Sequence, residues 1–258
     1  MELRNKTILL TGASSGIGKE IAKKLAVYDC RLFLLAGRTY LIEEYLKRLP
    51  EVTADINIIP NDVSDKADVG KCFDEITKII KEKYTDEGID IAILNAGIDS
   101  KISPGNFNSE AAEKIFGVNY FGIVYWIEKL MPSFMKNKKG MIVGVSSLAD
   151  NRGYGGSGFY CSSKAAVSIF LEGLRLELIP YGINVITVKP GFVKTPMTDK
   201  NDFKMPFLMN PGKAAGIILK GIKKEKRLIR FPIPTVIGSY IIGLLPGRFY
   251  EFLSRKLR

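Results

Sequence analysis

The stretch Thr11-Gly12-Ala13-Ser14-Ser15-Gly16-Ile17-Gly18 follows a short apolar run, Thr7 to Leu10, and opens a segment of helical periodicity, Ile17 to Val27. A glycine-rich turn between a strand and a helix is the setting that dinucleotide binding requires. Gly12 permits the tight turn, Gly16 lets the backbone approach a pyrophosphate, and Gly18 allows close packing of the helix on the sheet. The helix N-terminus then offers unpaired N–H groups and a positive dipole end to phosphate oxygens. The candidates in this turn are Gly12, Ser14, Ser15, Gly16, Ile17 and Gly18.

Outward from this turn the same alternation repeats. Leu32–Ala36, Ile56–Ile59, Ile89–Leu94, Met141–Val145 and Val185–Val188 are short apolar runs of the kind buried on both faces of a parallel sheet. Between them, periodicity predicts helices over Tyr40–Leu49, Lys66–Lys83, Val118–Lys136, Phe159–Ile179 and Pro211–Lys224. Ser64 or Asp65 can cap the third helix, and Pro211 suits a first turn. Strands alternating with helices and joined by right-handed crossovers give an α/β, doubly wound parallel sheet, the Rossmann fold. No linker or repeat divides the chain. A single domain over 1–230 is expected, with an apolar, basic extension over 231–258.

Composition narrows the chemistry. The chain has 258 residues, 46% hydrophobic, enough for one large core. It has no histidine, which removes Ser-His-Asp and Cys-His triads and histidine metal sites, so no metal is expected. Cys30, Cys72 and Cys161 stand singly, without the spacing of a disulfide framework or a zinc site. They fit a reducing compartment. The start, MELRNKTILLTG, enters a strand without a signal-peptide stretch, so a cytoplasmic location is expected. The formal net charge is +11; the segment from Lys213 to Arg258 holds eleven Lys/Arg against Glu225 and Glu251. That basic character reads either as a solvated face or as a surface for an acidic partner. No nucleic-acid motif accompanies it.

Acid/base work must fall to Tyr, Lys, Asp or Glu. Tyr160 and Lys164, in YCSSK, stand at i and i+4 on one helical face, and Ser147 lies thirteen positions before the tyrosine. Moving a hydride to or from carbon requires a carrier and a group that shifts one proton. A tyrosine with a pKa near 10 needs a shift of about three units, or about 4 kcal/mol, to act as a base at neutral pH. A neighbouring ammonium, together with an oxidised nicotinamide, is expected to favour the phenolate. Ser147 would hold a substrate oxygen by a hydrogen bond.

Together the glycine turn, Ser147, Tyr160 and Lys164 resemble the short-chain dehydrogenase/reductase family in its single-domain form, from about Lys6 to Thr195. The spacing Gly-x-x-x-Gly-x-Gly is that family's form of the fingerprint. The resemblance implies further roles. Asn119 matches an asparagine that links the lysine to a proton relay, Asp62 and Val63 an adenine-contacting pair, and Asn95, Ala96 and Gly97 the NAG motif. In KPGFVKTP, Pro190, Gly191, Val193 and Thr195 match the segment closing over the nicotinamide. Tyr160 and Lys164 belong to both the catalytic and the cofactor-binding sets, the lysine through the nicotinamide ribose.

In LLAGRT, Gly37 stands where an NAD-specific acid would bind the ribose, and Arg38 follows. A guanidinium with no carboxylate beside it favours NADP(H) over NAD(H). The alternative is an arginine stacked on the adenine. The segment 196–210 carries Met197, Phe203, Met205, Phe207, Leu208 and Met209 and resembles a substrate lid suited to an apolar substrate; it reads equally as core.

The run FPIPTVIGSYIIGLLPG, Phe231 to Gly247, has no charged residue, and RFYEFLSRKLR after it reads as a basic amphipathic helix. Three prolines and seventeen residues argue against a span. Either a peripheral membrane contact, as in the lipid- and steroid-directed branches of the family, or a subunit interface fits. The expected protein is an NADP(H)-dependent carbonyl reductase or alcohol dehydrogenase of an apolar, lipid-like substrate, as a homodimer or homotetramer. A 3-ketoacyl-(acyl carrier protein) reductase and a non-catalytic dinucleotide-sensing protein are the alternatives.

Overall fold

Seven parallel strands form one sheet in the order β3-β2-β1-β4-β5-β6-β7: β1 (Thr7–Thr11), β2 (Arg31–Ala36), β3 (Asp55–Pro60), β4 (Ile91–Leu94), β5 (Gly140–Val145), β6 (Ile183–Pro190) and β7 (Leu228–Phe231). The computed structural model describes residues 1–84, 88–201 and 203–256. Strand order reverses between β1 and β4. Such a switch point opens a crevice at the carboxyl ends of the strands, and every candidate residue but the tail lies at that end.

Apolar side chains alternate between two cores because each strand projects successive residues to opposite faces. On one face Ile8, Leu10, Leu32 and Leu34 pack with α1 (Gly16–Leu25), α2 (Thr39–Leu46) and α7 (Pro211–Lys223). On the other, Leu9, Phe33, Leu35 and Ile142 pack with α3 (Lys66–Lys83), α5 (Gly122–Asn137) and α6 (Gly158–Leu178). The central strands β1 and β4 are buried throughout, as their apolar runs predict. The outer strands depart from that expectation: only Ile59 is buried in β3, and β7 alternates.

Most predicted helices form, with shifts of a few residues at their ends. Asp65, not Ser64, caps α3, accepting from the N–H groups of Ala67 and Asp68. One expectation fails. The helix predicted over Val118–Lys136 begins earlier, as α4 (Ser109–Phe116), passes through a π-turn at Gly117–Phe121, and continues as α5. The Asn108 side chain, accepting from Ala111, caps α4. π-turns of this kind often mark functional sites, and this one contains Asn119.

Two helices follow β7: α8 (Ile233–Leu244) and α9 (Gly247–Lys256). The final segment is helical from Gly247 to Lys256. No helix of the described residues is long and apolar enough to cross a membrane. Cys30, Cys72 and Cys161 are all buried free thiols.

Candidate active site

The glycine turn is locked to the end of β4. Asn95 donates from Nδ2 to the carbonyls of Thr11 (3.1 Å) and Gly12 (3.3 Å), while the Asn95 and Ala96 N–H groups donate to Thr11 Oγ1. This explains the NAG motif as a brace for the turn. Gly12 has φ +68°, and a Cβ there would lie 2.8 Å from the Ala96 Cα. A Cβ on Gly18 would stand 2.2 Å from the Gly12 carbonyl oxygen, so the close approach of Gly18 is to the turn itself. Gly16, at φ +56°, faces Thr195 from the lid side. No side chain caps α1; the Ser15 hydroxyl makes no such bond. The first N–H groups of α1 therefore face the crevice as anion donors, a set that fits a dinucleotide pyrophosphate.

The four catalytic candidates come together, on four different segments. Ser147 follows β5, Tyr160 and Lys164 lie in the first turns of α6, and Asn119 sits in the π-turn. Asn119 is fully buried and does not cap a helix. Its Oδ1 accepts from Ile98 N (2.8 Å), and its Nδ2 donates to Ile98 O (3.0 Å) and Ser163 Oγ (2.9 Å). A Cβ on Gly97 would lie 3.3 Å from both Asn119 Oδ1 and Lys164 Nζ, so the absence of a side chain keeps that junction open. Lys164, 3% exposed, donates from Nζ to Val145 O at 2.9 Å.

The two serines before Tyr160 are sorted by their partners. Ser146 is buried, donating to Lys164 O (2.8 Å) and accepting from Ser168 Oγ. It ties β5 to α6. Ser147 is half-buried, and its Oγ accepts from the Ala149 N–H, leaving its own proton for another acceptor.

Burial pushes the Tyr160 phenol up to about 12, opposed by a hydrogen bond from Ser147 and reinforced by the negative charge of Asp99. Burial pulls the Lys164 ammonium down to about 8. The i,i+4 ammonium, expected to favour the phenolate together with an oxidised nicotinamide, does not by itself outweigh burial. The Lys164 Nζ lies 5.9 Å from the ring centroid and is turned to Val145, so desolvation of the phenol prevails. The protein's own groups keep Tyr160 protonated.

At the far end of the crevice, Gly37 and Arg38 are exposed, and a Cβ on Gly37 would meet nothing within 4 Å. The Arg38 guanidinium makes no hydrogen bond or ion pair with the described residues. Asp62 is exposed, its carboxylate accepting from Ser64, whereas Val63 is buried against Gly122. Pro190 ends β6, and Gly191 donates to Phe231 O. Val193 is buried and bridges to Met209, and Thr195 is held by Thr198. Within the lid segment Phe203, Phe207 and Leu208 are exposed, which removes the reading of these three as core. Asp202 lies outside the described residues.

Sequence reasoning missed Ser163 and Asp99. Ser163 Oγ accepts from Asn119 and donates to Tyr160 O (2.7 Å), completing the chain from the π-turn to the tyrosine. Its place in YCSSK was legible. Asp99, two positions past the NAG motif, carries no sequence signal of its own.

Known proteins resemble this chain. The sequence model of the family described as short chain dehydrogenase matches residues 6–205. An uncharacterized oxidoreductase of Myxococcus xanthus is 32% identical over all of this chain and 99% of its own length. An NADP-dependent 3-hydroxy acid dehydrogenase of Schizosaccharomyces pombe is 32% identical over 88% of this chain and 90% of its own. Among solved structures, a Burkholderia phymatum short chain dehydrogenase/reductase in complex with NAD superposes with a TM-score of 0.81 at 20% identity, over 98% and 96% of the two chains. The chain thus belongs to the short-chain dehydrogenase/reductase family, oxidoreductases that interconvert carbonyls and alcohols with a nicotinamide cofactor.

Proposed function

We propose that the protein reduces an apolar, lipid-like ketone or aldehyde with NADPH, Tyr160 donating the proton. The observation that carries this reading is the meeting of Ser147 and Tyr160 at the carboxyl end of the sheet, backed by buried Lys164 and Asn119, with the Tyr160 phenol pushed up to about 12. When bound, the nicotinamide supplies or accepts the hydride. Ser147, which hydrogen-bonds the Tyr160 phenol, can turn its proton to the substrate oxygen, and Tyr160 can release its own as that oxygen becomes an alcohol. The Lys164 ammonium would stabilise the phenolate left behind, with Asn119 and Ser163 fixing the backbone around it. The other assigned residues hold the cofactor: the glycine turn at the pyrophosphate, Asp62 and Val63 at the adenine, and Val193 and Thr195 at the nicotinamide end.

Gly37 and the unengaged Arg38 support NADP(H) over NAD(H), as does the NADP dependence of the Schizosaccharomyces pombe relative. The exposed Phe203, Phe207 and Leu208 support an apolar substrate. The test is NADPH oxidation against ketones, aldehydes, acyl-thioesters and long-chain ketolipids. Turnover of long-chain carbonyls ahead of acyl-thioesters is expected. The reverse order would favour the ketoacyl reductase, and no turnover at all the non-catalytic reading.

Residues 231–258 we read as a peripheral element for anionic lipid, on a protein otherwise in the cytoplasm. Ile233, Ile237, Tyr240, Ile241 and Leu244 recur along one stripe of α8 and are exposed, Ile233 at 71% and Leu244 at 85%. Arg230 lies over the exposed Tyr240 ring, 5.0 Å from its centroid, bringing a cation to the edge of that stripe. Twelve residues reach about 18 Å, short of the roughly 30 Å hydrocarbon core, so the helix would lie in the interface. In a two-fold contact between tails the same cations would meet. A homodimer or homotetramer is better served by the shallow apolar groove of Ile127, Met131, Met135 and Phe170 beside exposed Ile169 of α6.

A further inference from the structure

One buried acceptor on the segment after β4 has no partner among the described residues. Asp99 lies on the segment after β4, and that segment is fixed at both ends. Both backbone groups of Ile98 are held by the Asn119 carboxamide, and Ile102 N donates to Gly156 O at 2.9 Å, on the loop leading to Tyr160. The Ser100 N–H reaches the Asp99 carboxyl, yet Oδ1 is buried without a hydrogen-bond partner among the described residues. No salt bridge there holds Asp99, and it caps no helix. Its charge acts on both Tyr160 and Cys161, so the carboxyl stands near the proton donor.

A buried acceptor left empty costs its desolvation with nothing returned, and folds rarely keep one for structural reasons. Beside a proton donor, the group that completes such an acceptor can arrive with a ligand. Here that group must be a donor. A carboxylate accepts from hydroxyl or ammonium groups and repels another carboxylate.

We propose that Asp99 selects the substrate: its free oxygen accepts a hydrogen bond from a hydroxyl or ammonium group neighbouring the carbonyl that Ser147 and Tyr160 hold. The inference rests on the carbonyl-reducing reading above and narrows it. The substrate is an amphiphile, an apolar chain whose carbonyl end also carries an alcohol or amine. A free keto acid is excluded by charge, which separates this chain from its 3-hydroxy acid dehydrogenase relative.

The experiment measures kcat and KM with NADPH on three matched long-chain ketones: unsubstituted, with an adjacent amine or hydroxyl, and with a carboxylate. The parent is compared with Asp99→Ala and the near-isosteric Asp99→Asn; fluorescence titration with NADPH and thermal melts confirm that each variant folds. The parent should favour the amino or hydroxy ketone over the plain one by about tenfold or more in kcat/KM. Asp99→Ala should erase that preference mainly through KM, the amino or hydroxy ketone falling to the level of the plain one. Asp99→Asn should lose the amine more than the hydroxyl, since an amide oxygen still accepts but carries no charge. Parallel losses on all three ketones would make Asp99 a tuner of Tyr160 and overturn the proposal, as would a parent indifferent to the added donor. A parent that reduces no carbonyl would instead sink the reductase reading, and this inference with it.

Discussion

The carboxyl ends of β1, β4 and β5 and the final pair of helices are built on opposite principles. Around the crevice, polar groups are buried and bonded: Asn119 uses three hydrogen bonds, Asn95 braces a glycine turn, and Lys164 sits 3% exposed against a carbonyl. In α8 apolar groups stand outside, with Leu244 at 85%. Polar contacts hold the inner side of α8 and α9 instead. Asn151 donates to Ser239 O, Arg152 to the carbonyls of Ile242 and Leu245, and Tyr250 to Gly153 O. Those crevice side chains find their partners within the chain, whereas the outer stripe of α8 is left uncovered by the described residues.

The contrast breaks most directly at the proton donor. Tyr160→Phe should lower kcat for carbonyl reduction by about a thousandfold or more, since the phenol alone supplies the proton. NADPH affinity should stay within about twofold, because the ring and its backbone remain. Activity within about tenfold of the parent would remove Tyr160 from the chemistry. The pH dependence carries a sign. The phenol, held near 12, stays protonated through the working range, while Lys164 loses its charge as pH rises through about 8. Reduction should therefore decline above about pH 8 and not below it. Stability moves the other way. Folded Lys164 gives up its proton near 8 and unfolded lysine near 10.5, so the unfolded state binds more protons in that window and stability rises with pH across it. Below 8 the cost of burying the ammonium is fully present.

Arg38 is the intermediate case, an exposed side chain at the rim of the crevice. Arg38→Ala should cost NADPH about 1.5 to 3 kcal/mol, the range of a charge-assisted hydrogen bond, and leave NADH nearly unchanged. Gly37→Asp should move preference toward NADH, and the space around Gly37 accepts the new side chain without a clash. Equal affinity of the parent for both cofactors, by fluorescence titration, would show that the guanidinium does not read the 2′-phosphate.

What could be read from the sequence follows the same division. Glycine positions were legible because backbone demands fix them: no other residue fits φ +68° at Gly12 with Ala96 against it, or stands 2.2 Å from a carbonyl at Gly18. The parallel sheet was legible from apolar runs, since β1 and β4 are buried on both faces. The π-turn at Asn119 was not, because a one-residue change in helical register leaves no mark in periodicity. Nor was the tyrosine's protonation. Spacing shows that Lys164 shares a helical face with Tyr160, but only the fold reveals that its Nζ turns to Val145 and that burial prevails. Asp99 was invisible because its significance is a missing partner. For α8 the sequence showed an uncharged run, and the structure adds which residues face outward.

The smallest expected effect belongs to the tail, and it decides whether the outer surface of α8 binds lipid. Ile237 and Leu244 are exposed and support no core, so Ile237→Glu with Leu244→Glu should leave the melting temperature and NADPH affinity unchanged. The parent should sediment with vesicles containing phosphatidylglycerol more than with pure phosphatidylcholine, and less as salt rises, because insertion of the apolar stripe and attraction by Arg230 and Arg248 act together. The double variant should lower the bound fraction about tenfold, since it places two carboxylates where isoleucine and leucine would enter the interface. If the parent stays in the supernatant with both vesicle types, and runs as a dimer that the double variant turns into a monomer, then a second copy covers α8. The two regions would then differ in what completes them, a ligand for the crevice and another subunit for the helix, and the lipid reading would be wrong.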